Sequence, residues 1–143
     1  MSGPESERAL PVIPCGVAVI RRGREFLIAQ RKANDTFPLF WEFPGGKKNS
    51  DETFEACVAR EVREELGVDV HVGKKIGELR REHHGRIIWL NFYLCSKTAG
   101  EPRAIECEKC VWVDVEELKN YLFPPANEKL IEGLVAEFGG IKQ

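Results

Sequence analysis

The 143 residues predict an α+β fold, a curved sheet packed between helices. Short β-branched runs recur along most of the chain, separated by polar or glycine-containing turns. One amphipathic helix interrupts them in the middle of the chain, and another closes it after Pro124-Pro125.

Each element has its own justification. Val12 to Ile20 is apolar and β-branched, and Arg21-Arg22-Gly23-Arg24 turns it into Glu25 to Gln30, which reads as a hairpin. Lys32 to Leu39, with Asn34-Asp35 and Pro38, is a loop. Trp41-Glu42-Phe43 is a short strand entering a Pro44-Gly45-Gly46 turn, and the central helix follows. Thr53 or Asp51 caps that helix, Gly67 ends it, and Val58, Ala59, Val62 and Leu66 form the stripe that docks it on the sheet. Val68 to Val72 alternates like a half-buried strand. Ile76 to Arg81 and Arg86 to Ser96 pair through a turn at His83-His84-Gly85. Cys110 to Val113 is a strand, Asp114 caps a helix over Val115 to Leu122, and Asn127 or Ala126 opens the last helix, which runs through Phe138. Residues 1–10 are expected to be a mobile tail, and 11–143 a single domain.

The chemistry concentrates between Gly46 and Val68. Glu61, Glu64 and Glu65 stand at offsets of three and four, which crowds three carboxylates on one helical face. Like charges so placed repel by a few tenths of a kcal/mol, roughly, per pair. A solvated face with incidental ion pairs would carry such residues too. The glycines before and after the helix and the opposite apolar stripe favour a carboxylate cluster neutralised by a cation. Hard oxygen donors of this kind suit Mg²⁺, with Mn²⁺ as a substitute. Arg60, four residues before Glu64, is placed to orient that carboxylate, and Glu52 at the helix entrance has a structural role in the loop.

Gly46, Glu52, Arg60, Glu61, Val62, Glu64, Glu65, Gly67 and Val68 resemble the Nudix box at nine specified positions within 23 residues. Trp41 to Lys47 and Phe123-Pro124-Pro125-Ala126-Asn127-Glu128 resemble the MutT branch of that family, and the likeness extends from Arg31 to Asn127. The resemblance implies the Nudix fold, with a curved mixed β-sheet sandwiched between α-helices. It implies a Mg²⁺-dependent hydrolase that converts 8-oxo-dGTP, and 8-oxo-GTP, to the monophosphate and pyrophosphate, a sanitiser of the nucleotide pool in the service of DNA replication and repair. It assigns the metal to Glu61, Glu64, Glu65 and the backbone carbonyl of Gly45. It adds Glu106, six residues before Trp112, as base or further ligand, with Glu108 as the alternative. Arg31, Phe43, Arg86 and Asn127 become substrate contacts, with Asn127 reading the base edge, while Lys47, directly after the Pro-Gly-Gly turn, is placed to steady phosphate charge. Residue by residue there are plainer readings: Phe43 as core, the arginines as solvated strand residues, Asn127 as a helix cap. The longer N-terminal tail and His83-His84 depart from the MutT pattern. A Nudix pyrophosphatase acting on CTP or pyrimidine dNTPs, and a non-catalytic Nudix binding domain, are the rival readings.

Composition narrows the rest. With 43% hydrophobic and 31% charged residues and a net charge near −2, without a basic block, the chain is not composed as a duplex nucleic-acid binder. Neither a signal pattern nor a membrane-length apolar run is present, so a cytoplasmic protein is expected, with a small nucleotide as its partner and a monomer plausible. Cys107 and Cys110 form a lone CxxC. With only His83-His84 as further zinc ligands, all five cysteines are expected to be ordinary thiols.

Overall fold

The computed structural model describes residues 9–141, so most of the expected N-terminal tail lies outside the described residues. Strand β1 (Val12–Arg22) is the axis of the fold. Its Val17 to Ile20 are buried on both faces, as befits a run without polar alternation. Val17 and Val19 point into one apolar layer, with Phe26, Ile28 and Phe43. Ala18 and Ile20 point into the other, with Leu27 and Val58.

One edge of β1 runs parallel to β6 (Arg86–Ala99), from Val12 opposite Ile87 to Ile20 opposite Cys95. The other edge is divided. Its distal half forms the expected hairpin with β2 (Glu25–Gln30), and its proximal half pairs antiparallel with β4 (Gly45–Lys47). The expected Pro-Gly-Gly turn is therefore a strand, because Gly45 and Gly46 complete the open edge of β1 opposite Val17 and Gly16. Strand β2 carries β7 (Lys109–Asp114) along its far edge, while β3 (Trp41–Glu42) pairs with Ala29 and Gln30 on the same edge as β1. This mixed sheet agrees with the α+β expectation.

Strand β5 (Asp69–His83) pairs antiparallel with β6 and unites the two strands expected at Val68–Val72 and Ile76–Arg81. Register shifts between Val72 and Gly77 absorb what reads in the sequence as a break, and such bulges bend a sheet. His84 and Gly85 both take positive φ, 52° and 75°, the requirement of a two-residue hairpin turn of the primed kind.

Helix α1 (Phe54–Leu66) covers one face of the sheet. Thr53 accepts the amide of Ala56 at its start, and Gly67 ends it at φ 71°. Its buried side is Cys57, Val58, Val62, Glu65 and Leu66, so Cys57 and a carboxylate take the place expected for Ala59. Helix α2 (Glu128–Phe138) covers the opposite face through Ile131, Leu134 and Phe138. The helix expected over Val115–Leu122 is a 3-10 segment ending at Asn120, capped by the Asp114 side chain on the Glu116 amide. Among the described residues no helix is long and apolar enough to cross a membrane.

Candidate active site

Because β1 changes partners halfway, α1 lies beside the Gly45-Gly46 strand and aims Glu61 and Glu65 at it. A side chain at Gly45 would collide with the backbone of Gly16 and Val17. Glycine here is thus demanded by the sheet itself. At Gly46 a Cβ would fall 2.6 Å from Glu61 Oε1. Helix and strand meet through bare backbone on one side and a carboxylate on the other.

The three glutamates occupy different environments. Glu64 is on the open flank, its side chain 48% exposed, whereas that of Glu61 is 15% exposed and Glu65 is buried. The Gly45 amide donates to Glu65 Oε2 at 3.2 Å. Burial, then the nearby Glu42 and Glu61 carboxylates, push the Glu65 carboxyl far above the ordinary carboxylate range.

Arg60 ties the flank together. Its guanidinium donates to Glu52 at 2.6 and 3.1 Å, to Glu61 at 3.0 Å, to Glu64 at 3.2 Å and to the Lys47 carbonyl at 3.0 Å. Glu52 also accepts the Asn49 amide at 2.9 Å, which closes the loop before α1. The principal partner of Arg60 is therefore Glu52, with Glu64 a weaker contact than the sequence suggests. The Arg60 fork and the Asn49 amide hold the Glu52 carboxyl down at about 2. A depressed carboxylate stabilises the fold fully above its unfolded value of 4.5, and that contribution is lost as pH falls towards 2. Arg60→Ala is expected to lower the melting temperature at pH 7 and turnover by roughly 10- to 100-fold, the range for groups that orient metal ligands. Arg60→Lys should restore little, since an ammonium lacks the planar fork. Thermal melts and steady-state rates on both variants check this.

Among the described residues, no three His, Cys, Asp or Glu side chains already converge as a finished metal shell. The donor set nevertheless fits a hard divalent cation. It is all oxygen, and it contains a buried carboxylate whose charge is opposed by two others. The neighbouring thiols do not compete. Burial raises Cys15 and pushes Cys57 up to about 11. Cys107 is likewise pushed to about 12 by burial, and Cys110 is raised.

A cleft of about 300 Å³ runs away from Gly45 and Gly46. Arg31, Phe43 and Asn127 line it, as the sequence suggests. Phe43 is also core, buried and stacked on Phe123 at 5.2 Å. Asn127 makes no capping bond to α2, and its amide nitrogen has only a 3.4 Å contact to the Pro124 carbonyl. Lys47 and Arg86 are exposed and are not among the lining residues. Arg86 sits at the hairpin tip, opposite His83. Glu106 is held beside α1 by its amide on the Glu65 carbonyl at 3.2 Å, with an exposed side chain. Glu108 is instead tied to the Gln30 carbonyl.

Sequence reasoning missed Glu42, Arg81 and His83 as cleft residues. Glu42 forms a 2.7 Å ion pair with Arg31. Its signal was its place three residues before Gly45 in the Trp41–Lys47 motif. Arg81 and His83 share a face of β5 by strand alternation, legible once the hairpin register is known.

The chain matches the NUDIX domain family over residues 12–134. It is 36% identical over 127 residues to the CTP pyrophosphohydrolase of Escherichia coli K12, covering 89% of this chain and 94% of that protein. It is 34% identical over 127 residues to the 8-oxo-dGTP diphosphatase of Haemophilus influenzae, covering 88% and 93%. The solution structure of the E. coli ORF135 protein superposes with a TM-score of 0.79 at 36% identity, covering 89% of this chain and 91% of that one. With the box, the mixed sheet and the flanking helices in agreement with them, the chain belongs to the Nudix hydrolases, in the MutT-type group.

Proposed function

We propose that the chain is a cytoplasmic Mg²⁺-dependent nucleoside triphosphate pyrophosphohydrolase acting on 8-oxo-dGTP, and on 8-oxo-GTP, to keep oxidised nucleotides out of replication. The observation that carries this reading is the union of two features in one place. The cleft that begins at the Gly45-Gly46 strand, against which Glu61 and Glu65 pack, also contains Asn127 with its amide free of a capping role.

A divalent cation held by Glu61, Glu64, Glu65 and the Gly45 carbonyl would neutralise diphosphate charge and acidify a water. The protein's own part is positional. Arg60 and the Gly45 amide fix the carboxylates before substrate arrives, and Glu106 stands next to them as the candidate base. Water adds to the β-phosphorus, the bond from that phosphorus to the α–β bridging oxygen breaks, and the nucleoside monophosphate leaves. The water oxygen remains in pyrophosphate, and its proton goes to the base. Arg31 and Phe43 hold the nucleoside. The Asn127 amide donates to O6 and accepts from N7–H of 8-oxoguanine. Guanine offers two acceptors there and leaves the amide oxygen unpaired.

A second reading, CTP as substrate, is favoured by the 36% identity to the E. coli CTP pyrophosphohydrolase. Cytosine also presents a donor beside an acceptor, so Asn127 separates 8-oxoguanine from guanine without separating it from cytosine. Rates with 8-oxo-dGTP, dGTP and CTP, with Mg²⁺ and with excess chelator, test both readings. The highest kcat/KM is expected for 8-oxo-dGTP. Faster CTP hydrolysis overturns the substrate, and absence of metal-dependent turnover overturns the enzyme reading.

A further inference from the structure

The two histidines that depart from the MutT pattern sit at the tip of the β5–β6 hairpin, and only His83 lines the cleft. Its direction is fixed by the strand. Arg81, two residues earlier, faces the same way, and Arg86 lies directly across the ladder from His83. His84 occupies the left-handed turn, and its ring packs against that of His83 with centroids 4.1 Å apart. Arg81 reaches across the cleft to the loop on its other side, 5.7 Å from the centre of the Phe37 ring. His83 is thus a titratable group at the end of a strand, lining the cleft that the nucleotide-hydrolase reading assigns to the substrate.

We propose that His83 is a substrate-binding residue of the cleft wall that contacts the nucleotide and takes up a proton as the anionic substrate binds. The inference rests on the nucleotide-hydrolase reading above. The charged and titratable groups around His83 are Arg81 on its own strand, His84 in the turn, Arg86 on β6, and Arg31, Glu42 and Cys15 in the cleft wall. Three of these, His84, Arg81 and Arg86, repel a proton on the imidazole and, after burial, keep its pKa below the ordinary 6.5. A bound polyanion reverses that balance, since an opposite charge at close range favours the protonated ring and adds a charge-assisted hydrogen bond. Binding is then linked to proton uptake, and affinity falls as pH rises through the window between the free and the liganded pKa.

The experiment measures KM and kcat from pH 5 to 8.5 for wild type, His83→Asn and His84→Asn with 8-oxo-dGTP and Mg²⁺. It is paired with calorimetry of the nucleoside monophosphate product, without metal, in buffers of different ionisation enthalpy. Wild type should show a rise in KM with pH that His83→Asn lacks, a difference of about tenfold at the acid end, the size of one charge-assisted hydrogen bond. Proton uptake on binding should vanish in His83→Asn and persist in His84→Asn, where asparagine tolerates the positive φ. The kcat profile, set at the carboxylate end, should not move. Identical KM profiles and proton counts in wild type and His83→Asn overturn the inference while leaving the hydrolase reading intact. Absence of turnover in wild type with every nucleotide overturns the reading itself.

Discussion

Glu65→Gln is expected to remove most of the turnover and, in the same molecule, to raise the melting temperature of the metal-free protein. Both effects follow from one carboxylate being buried beside Glu42 and Glu61. A folded-state pKa above the ordinary 4.5 means that the native state binds the proton more tightly than the unfolded chain does. Metal-free stability is therefore complete below that value and declines as pH rises through neutrality. The amide carries no charge to repel, so Glu65→Gln should flatten this decline and gain several degrees at pH 7.5. About 1 kcal/mol moves a domain of this size by about 3–5 °C. Addition of Mg²⁺ should raise the wild-type melting temperature and leave that of the variant nearly unchanged. Turnover should fall roughly 10²- to 10⁴-fold, because an amide is a poor ligand for a hard cation. Glu64→Gln should lose activity comparably without the gain in stability, since Glu64 stands in solvent. Near-normal rates in both variants, or a less stable metal-free Glu65→Gln, would sink the metal assignment.

That asymmetry also marks where the sequence was legible and where it was not. Helix α1, its Thr53 cap and Gly67 stop, the β1–β2 hairpin and the His84-Gly85 turn follow from local chemistry and were readable in place. Long-range pairing was not. Nothing local distinguishes a Pro-Gly-Gly turn from a strand that completes the open edge of β1, because the partner residues Gly16 and Val17 lie about thirty positions away. Likewise the spacing of Glu61, Glu64 and Glu65 puts them on one side of a helix, but the sheet decides that Glu65 is buried and Glu64 is wet. Arg60 shows the same limit. Helical spacing points to Glu64, whereas the folded loop delivers Glu52 at 2.6 Å. The cleft was half readable. Asn127 and Phe43 came from motifs, whereas Glu42, Arg81 and His83 entered it through strand register.

Asn127→Ala is expected to cut kcat/KM for 8-oxo-dGTP sharply and for dGTP much less. The asparagine sits in a 3-10 turn at φ −88° and ψ −4°, so its backbone lacks the extended geometry of a helix cap, and its side chain makes no bond to the first turn of α2. A capping asparagine would lose about 1 kcal/mol of stability on truncation and leave substrate preference untouched. Here the melting temperature should hold. If Asn127 reads the base as proposed, truncation removes a donor–acceptor pair for the oxidised base, worth on the order of 1–3 kcal/mol. The preference for 8-oxo-dGTP over dGTP should then shrink by about tenfold or more, at about 1.4 kcal/mol per decade. Parallel loss on both nucleotides with a lower melting temperature would return Asn127 to a structural role. Equal losses on 8-oxo-dGTP and CTP, with dGTP spared, would mean that the amide recognises any adjacent donor and acceptor, and that the remaining cleft wall selects purine over pyrimidine.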